Sequence, residues 1–134
     1  MISWPDTHVH WQGIIPAAPE YSVPFAVHVF IFKTREQLRQ AVEDPEACAH
    51  SRTFTAPDPN DVGALLTFSI EDLHVSLAAH ESAHVALAHH GHNEQSRISA
   101  RRWLNEHPES VAEMTGNLTA FVWAALNKHG STDG

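Results

Sequence analysis

Ala64-Leu65-Leu66-Thr67-Phe68-Ser69, then Ile70-Glu71-Asp72-Leu73-His74-Val75-Ser76-Leu77-Ala78-Ala79-His80-Glu81-Ser82-Ala83-His84, is the stretch on which the reading of this chain turns. Residues 64–68 form a short apolar run of strand length. Ser69 and Asp72 have capping-box spacing, which predicts a helix opening directly behind the strand. Along that helix Leu73, Leu77, His80, His84 and Leu87 fall on one stripe. The two histidines are therefore expected to continue the buried apolar face, in a cleft against the rest of the domain. Gly91 is a natural stop. His89 and His90 occupy the last turn, where the helix dipole favours positive charge.

Upstream, Phe25-Ala26-Val27-His28-Val29-Phe30-Ile31-Phe32 is apolar on both faces. It reads as a central strand covered on both sides, with His28 a core or edge histidine. Thr34 with Gln37 predicts a cap and a helix to about Val42, ended by Asp44-Pro45. Residues 45–63 read as a long loop. Thr7 to Ile15 reads as a short first strand, followed by a connection broken by Pro16, Pro19 and Pro24. Downstream, residues 95–106 suggest a short polar helix, and Pro108 suits the first position of a final one. Val111, Met114, Leu118, Phe121, Val122 and Ala125 give that helix its expected core stripe. Ala112 and Gly116 predict close packing against another helix, at a cost for Gly116 of about 1 kcal/mol against Ala. The whole is expected to be one α+β domain over residues 1–134, with a small three-stranded sheet packed on residues 69–91 and the C-terminal helix.

The segment His80-Glu81-Ser82-Ala83-His84 spells H-E-x-x-H. Residues four apart share a helix face, so both imidazoles can reach one metal ion. Glu81 is offset to the edge of that face, where it can serve as a base towards a metal-bound water. Two nitrogen ligands and an offset carboxylate suit one Zn2+ ion in a hydrolase. A catalytic zinc needs a third protein ligand and an open position. Glu94, Glu106, His107, Glu109 and Glu113 are the downstream candidates. Glu109, directly after Pro108, is preferred as the ligand, and Glu113 as the carboxylate that orients a histidine through its other ring nitrogen. The reverse assignment stays open.

Composition narrows the partners. The formal net charge is −8 with 12 histidines treated as neutral, which argues against nucleic acid, since phosphate binding needs a basic patch. Arg97, Arg101 and Arg102 read as a solvated helix face. No apolar run is long enough to span a membrane. The N-terminus shows no basic-then-apolar leader, and the lone Cys48 suits a reducing compartment. A cytoplasmic location is expected.

H-E-x-x-H on one helix with Glu109-x-x-Ala112-Glu113 on the next resembles the gluzincins, the thermolysin-type metallopeptidases. Their N-E-x-x-S-D pattern implies Glu109 on zinc and Glu113 behind a histidine, although Pro108 and Ala112 replace its Asn and Ser. The chain is also similar, loosely and over about residues 25–126, to short metallopeptidases encoded by bacteriophages, which would place it in a host-cell cytoplasm. The resemblance implies a minimal zincin-like fold and a peptide or protein substrate. It also implies that the strand before the motif helix, through Leu65, Leu66 and Thr67, offers an edge for an extended peptide. Glu46 and Cys48 resemble the ligand segment of peptide deformylases, at two positions only. His8-Val9-His10 resembles the H-x-H of amidohydrolases, whose barrel of about 250 residues does not fit this chain. The non-enzymatic alternative is a zinc-stabilised binding or regulatory module.

Overall fold

The computed structural model describes Trp4 and residues 8–16, 26–54, 62–93 and 108–130. These form β1 (Val9–Pro16), β2 (Ala26–Phe32), α1 (Arg35–Val42), β3 (Ala49–Thr53), β4 (Val62–Ser69), one 3-10 turn (Ile70–Asp72), α2 (Val75–Asn93) and α3 (Pro108–His129). The strands make one mixed sheet in the order β1-β2-β4-β3. The central pair β2 and β4 is parallel, and both outer strands run antiparallel to their neighbours.

The two continuous apolar runs became the two inner strands because each must fill two cores. Alternate side chains leave a strand on opposite faces. Val27, Val29 and Ile31 join Ala64, Leu66 and Phe68 on one face, where Ala78, Val85, Ala86, Met114, Leu118, Val122 and Leu126 cover them from α2 and α3. Phe30, Phe32 and Leu65 point the other way and close over Leu38 and Ala47, with Ala41 and Val42 at the margin. Each large side chain buried this way contributes roughly 1.5–3 kcal/mol.

The sheet has four strands rather than three. The additional strand, β3, lies inside the stretch expected to be a loop. Its sequence, Ala49-His50-Ser51-Arg52-Thr53, has no apolar face, and its residues are half-buried or exposed. Pairing with β4 supplies what side-chain patterning does not announce. It also corrects the expected substrate edge. Leu65, Leu66 and Thr67 have β2 on one side and β3 on the other, so their backbone groups are already paired. Among the described residues, the unpaired edge on that side belongs to β3.

α1 begins where its cap predicts. The Gln37 amide donates to Thr34 Oγ1 at 3.1 Å. Its end is set by Glu43, which adopts a left-handed conformation (φ 57°) while its amide reaches back to Arg39 and Gln40. α3 starts at Pro108 as expected. Two details of its stripe differ: Phe121 is 45% exposed, and Leu126 takes the inner position instead. Gly116 does not serve a close helix contact, because a Cβ added there would meet nothing within 4 Å. The expected helix over 95–106 lies outside the described residues.

Candidate metal centre

The motif helix is anchored at its start by residues that the capping pattern misassigned. Ser69 caps the 3-10 turn, accepting from the Glu71 amide at 3.1 Å, and α2 begins only at Val75. Asp72 turns away to form a two-pronged pair with Arg35, Nε to Oδ2 and Nη2 to Oδ1, each 2.7 Å. The Arg35 guanidinium holds the Asp72 carboxyl below its ordinary range, and the carboxylate in turn raises Arg35. His74 then caps α2. Its carbonyl accepts from the Leu77 and Ala78 amides, and its Nδ1 from the Ser76 amide at 3.0 Å. The pair ties α1 to the turn, and the cap fixes the direction in which α2 leaves it.

α2 packs against β3 and α3 with a different face from the one expected. Over residues 75–88 its buried residues are Ala78, Glu81, Ser82, Val85 and Ala86. Leu87 is exposed, and so are His80 and His84. The inward face is made of small residues, which bring the helix axis close to sheet and neighbour. Leu73 and Leu77 lie half-buried at the margin of this core, whereas Leu87 and the two histidines turn outward, so the histidines do not line a deep cleft. Ser82 Oγ is buried with no hydrogen-bond partner among the described residues.

On that outward face the two imidazoles converge. His80 Nε2 and His84 Nε2 are 3.2 Å apart, with the rings edge to face at 75°. Two nitrogens each about 2.0–2.1 Å from one tetrahedral zinc stand about 3.3 Å apart. The separation of the two nitrogens therefore matches that of a pair sharing one ion. Glu81 occupies the seam between buried and exposed faces. It is only 6% exposed, and its Oε1 lies 4.0 Å from His80 Nε2. That is too far for a direct hydrogen bond and within the span of one bridging water.

The remaining site residues are not all brought to this point. Glu109 falls in the first turn of α3, and its side chain lies outside the described residues, as do Glu94, Glu106 and His107. Glu113 is exposed on α3, and no hydrogen bond or ion pair joins it to His80 or His84. The expected orienting contact is absent from this arrangement. Cys48 is exposed, with Sγ 4.0 Å from Arg39 Nη2. Among the described residues, no group of three His, Cys, Asp or Glu side chains is placed to hold one metal ion. The side chains of His89, His90 and His92 lie outside the described residues.

His28 sits elsewhere, on the α1 side of the sheet. It is buried, stacked on Phe30 with centroids 4.1 Å apart, and its Nε2 is 3.0 Å from Gln12 Oε1. Burial pushes its pKa down. Its Nδ1 has no partner among the described residues, so it is a core histidine with one nitrogen satisfied. No helix is long and apolar enough to cross a membrane among the described residues.

No family model matches the chain, and no curated protein or solved structure matches it.

Proposed function

We propose that this chain is a zinc-dependent hydrolase of minimal zincin-like design, cleaving a peptide or protein amide bond. The observation that carries the reading is the 3.2 Å approach of His80 Nε2 to His84 Nε2 beside the largely buried carboxylate of Glu81. A bare histidine pair would bind metal. A carboxylate kept at the base of that pair, where burial of charge is costly, adds the group a hydrolase needs.

In this reading His80 and His84 hold one Zn2+, and Glu109 from the first turn of α3 completes the protein ligands. A zinc ion bound there supplies acidification of water and polarisation of the scissile carbonyl. Glu81 accepts the proton of the attacking water and passes it to the leaving amine. β3, packed against α2 and, among the described residues, paired on one side only, replaces β4 as the strand along which an extended substrate adds. The shallow placement of the histidines suits a substrate laid across the surface.

Replacing Glu81 with Gln keeps the side-chain volume and removes the base. The E81Q protein should retain stoichiometric zinc and lose at least about 100-fold of its activity on a fluorogenic peptide mixture. Hydrolysis at the wild-type rate would refute the assignment. X-ray absorption at the zinc edge separates the alternative of a zinc-stabilised binding module. An open, water-bearing position marks the hydrolase, and four protein ligands mark the module.

A further inference from the structure

The face of the sheet opposite α2 carries a cavity of about 330 Å³ that the proposed chemistry does not use. It lies beside the C-terminal end of α1 and is lined by Trp4, Val42, Glu43, His50, Arg52, Leu65 and Thr67, among others. Small-molecule sites begin at roughly this size. Its walls are firm. Trp4 is held edge-on by Phe30 and Phe32, with centroids 4.6 and 5.2 Å away. Leu65 and Thr67 belong to the inner strand β4 and are 4% and 2% exposed.

The charges on this cavity are of both signs. Arg52 lies over the Phe54 ring at 5.7 Å, and Glu43 sits at the α1 C-cap. No salt bridge joins Arg52 to Glu43, although both line the same space; among the described residues the only lysine or arginine salt bridge is Arg35–Asp72. The carbonyl end of α1 adds negative potential on the Glu43 side. A cavity with apolar lining and one charge of each sign complements a small molecule with an ammonium, a carboxylate and an apolar body.

We propose that this cavity binds a free zwitterionic amino acid with an apolar or aromatic side chain. Its carboxylate pairs with Arg52, its ammonium with Glu43, and its side chain lies on Trp4 and Leu65. The proposal is independent of the zinc site, which lies on the other side of the sheet.

The test is titration of the full chain with L-leucine, L-phenylalanine and L-tryptophan, followed by amide chemical shifts in NMR spectra. 3-Phenylpropionate and phenethylamine serve as single-charge counterparts. At least one amino acid should bind saturably below about 10 mM, with shifts at Ala41, His50, Leu65 and Thr67. Phenylalanine should bind more tightly than either counterpart. R52Q should weaken amino-acid binding at least tenfold, and E43Q should abolish the preference over 3-phenylpropionate. H80A should leave all of these values unchanged. No saturable binding by any of the three, shifts confined to α2, or affinities indifferent to R52Q and E43Q would each overturn the proposal.

Discussion

Zinc should stabilise the fold, and the stabilisation should depend on two side chains that contribute almost nothing to the metal-free protein. His80 is 63% exposed at its side chain, and His84 is also exposed. Replacing either with Ala at such a surface changes stability by no more than about 0.5 kcal/mol. In the metal-loaded protein the effect is larger. With zinc at about one hundred times its dissociation constant, linkage adds about 2.7 kcal/mol. For 134 residues that corresponds to a rise in Tm of about 10 °C. Thermal melts with zinc and with a chelator, run on wild type, H80A, H84A and E109A, measure the difference. The expected result is nearly equal Tm values for all four in chelator, with the zinc-dependent rise confined to wild type. A rise of similar size in H80A and H84A would mean that zinc binds elsewhere among the 12 histidines, and the metal centre described above would be wrong. No rise in wild type would be equally damaging.

Three further outcomes follow from the packing. Gly116→Ala should raise stability by about 1 kcal/mol, visible as a higher urea midpoint, because the position is exposed, helical and has no neighbour within 4 Å of a new Cβ. His28→Phe should flatten the pH dependence of stability between about 5 and 7. The folded pKa of His28 lies below its ordinary value, so on acidification the unfolded chain takes up the proton first, and stability falls with pH in wild type only. Asp72→Asn should act in a more acidic window. Arg35 lowers the folded pKa of Asp72, so the pair's contribution is complete above the ordinary carboxylate pKa near 4 and disappears as pH falls through the lowered value. Urea titrations of wild type and D72N should differ at neutral pH and converge in strong acid.

What could be read in the sequence was what short-range chemistry decides. Thr34 at the start of α1, Pro108 at the start of α3, and the double-sided apolar runs of β2 and β4 each carry a local cause that tertiary contacts did not override. β3 carried no such cause. Its residues alternate without an apolar face, and only its pairing with β4 makes it a strand. Asp72 shows the opposite failure, a local pattern with a stronger distant competitor. A capping carboxylate gains one backbone hydrogen bond, whereas Arg35 offers two charge-assisted ones at 2.7 Å.

The orientation of α2 was the consequential misreading, and its cause bears on function. Periodicity favoured the face with Leu73, Leu77 and Leu87, because those residues are the most apolar. The structure instead leaves Leu73 and Leu77 half-buried at the margin and Leu87 exposed, and fully buries Ala78, Val85 and Ala86, whose modest size lets the helix settle against β3 and α3. That rotation carries Glu81 and Ser82 inward with them. A helix selected for packing alone would place alanine or leucine at position 81, since a carboxylate there must be desolvated. Departures of this kind, where a local rule is broken at one position of an otherwise consistent element, concentrate at working sites. The same rotation frees the neighbouring imidazoles to face solvent, four residues apart and nearly in contact. E81L and E81Q separate packing from chemistry at this position. Relief of the desolvation cost should make E81L more stable than wild type in the absence of metal, while both variants should lose hydrolysis. If E81L is instead strongly destabilised, Glu81 is a structural element of the core, and the argument from its burial to its role as a base fails.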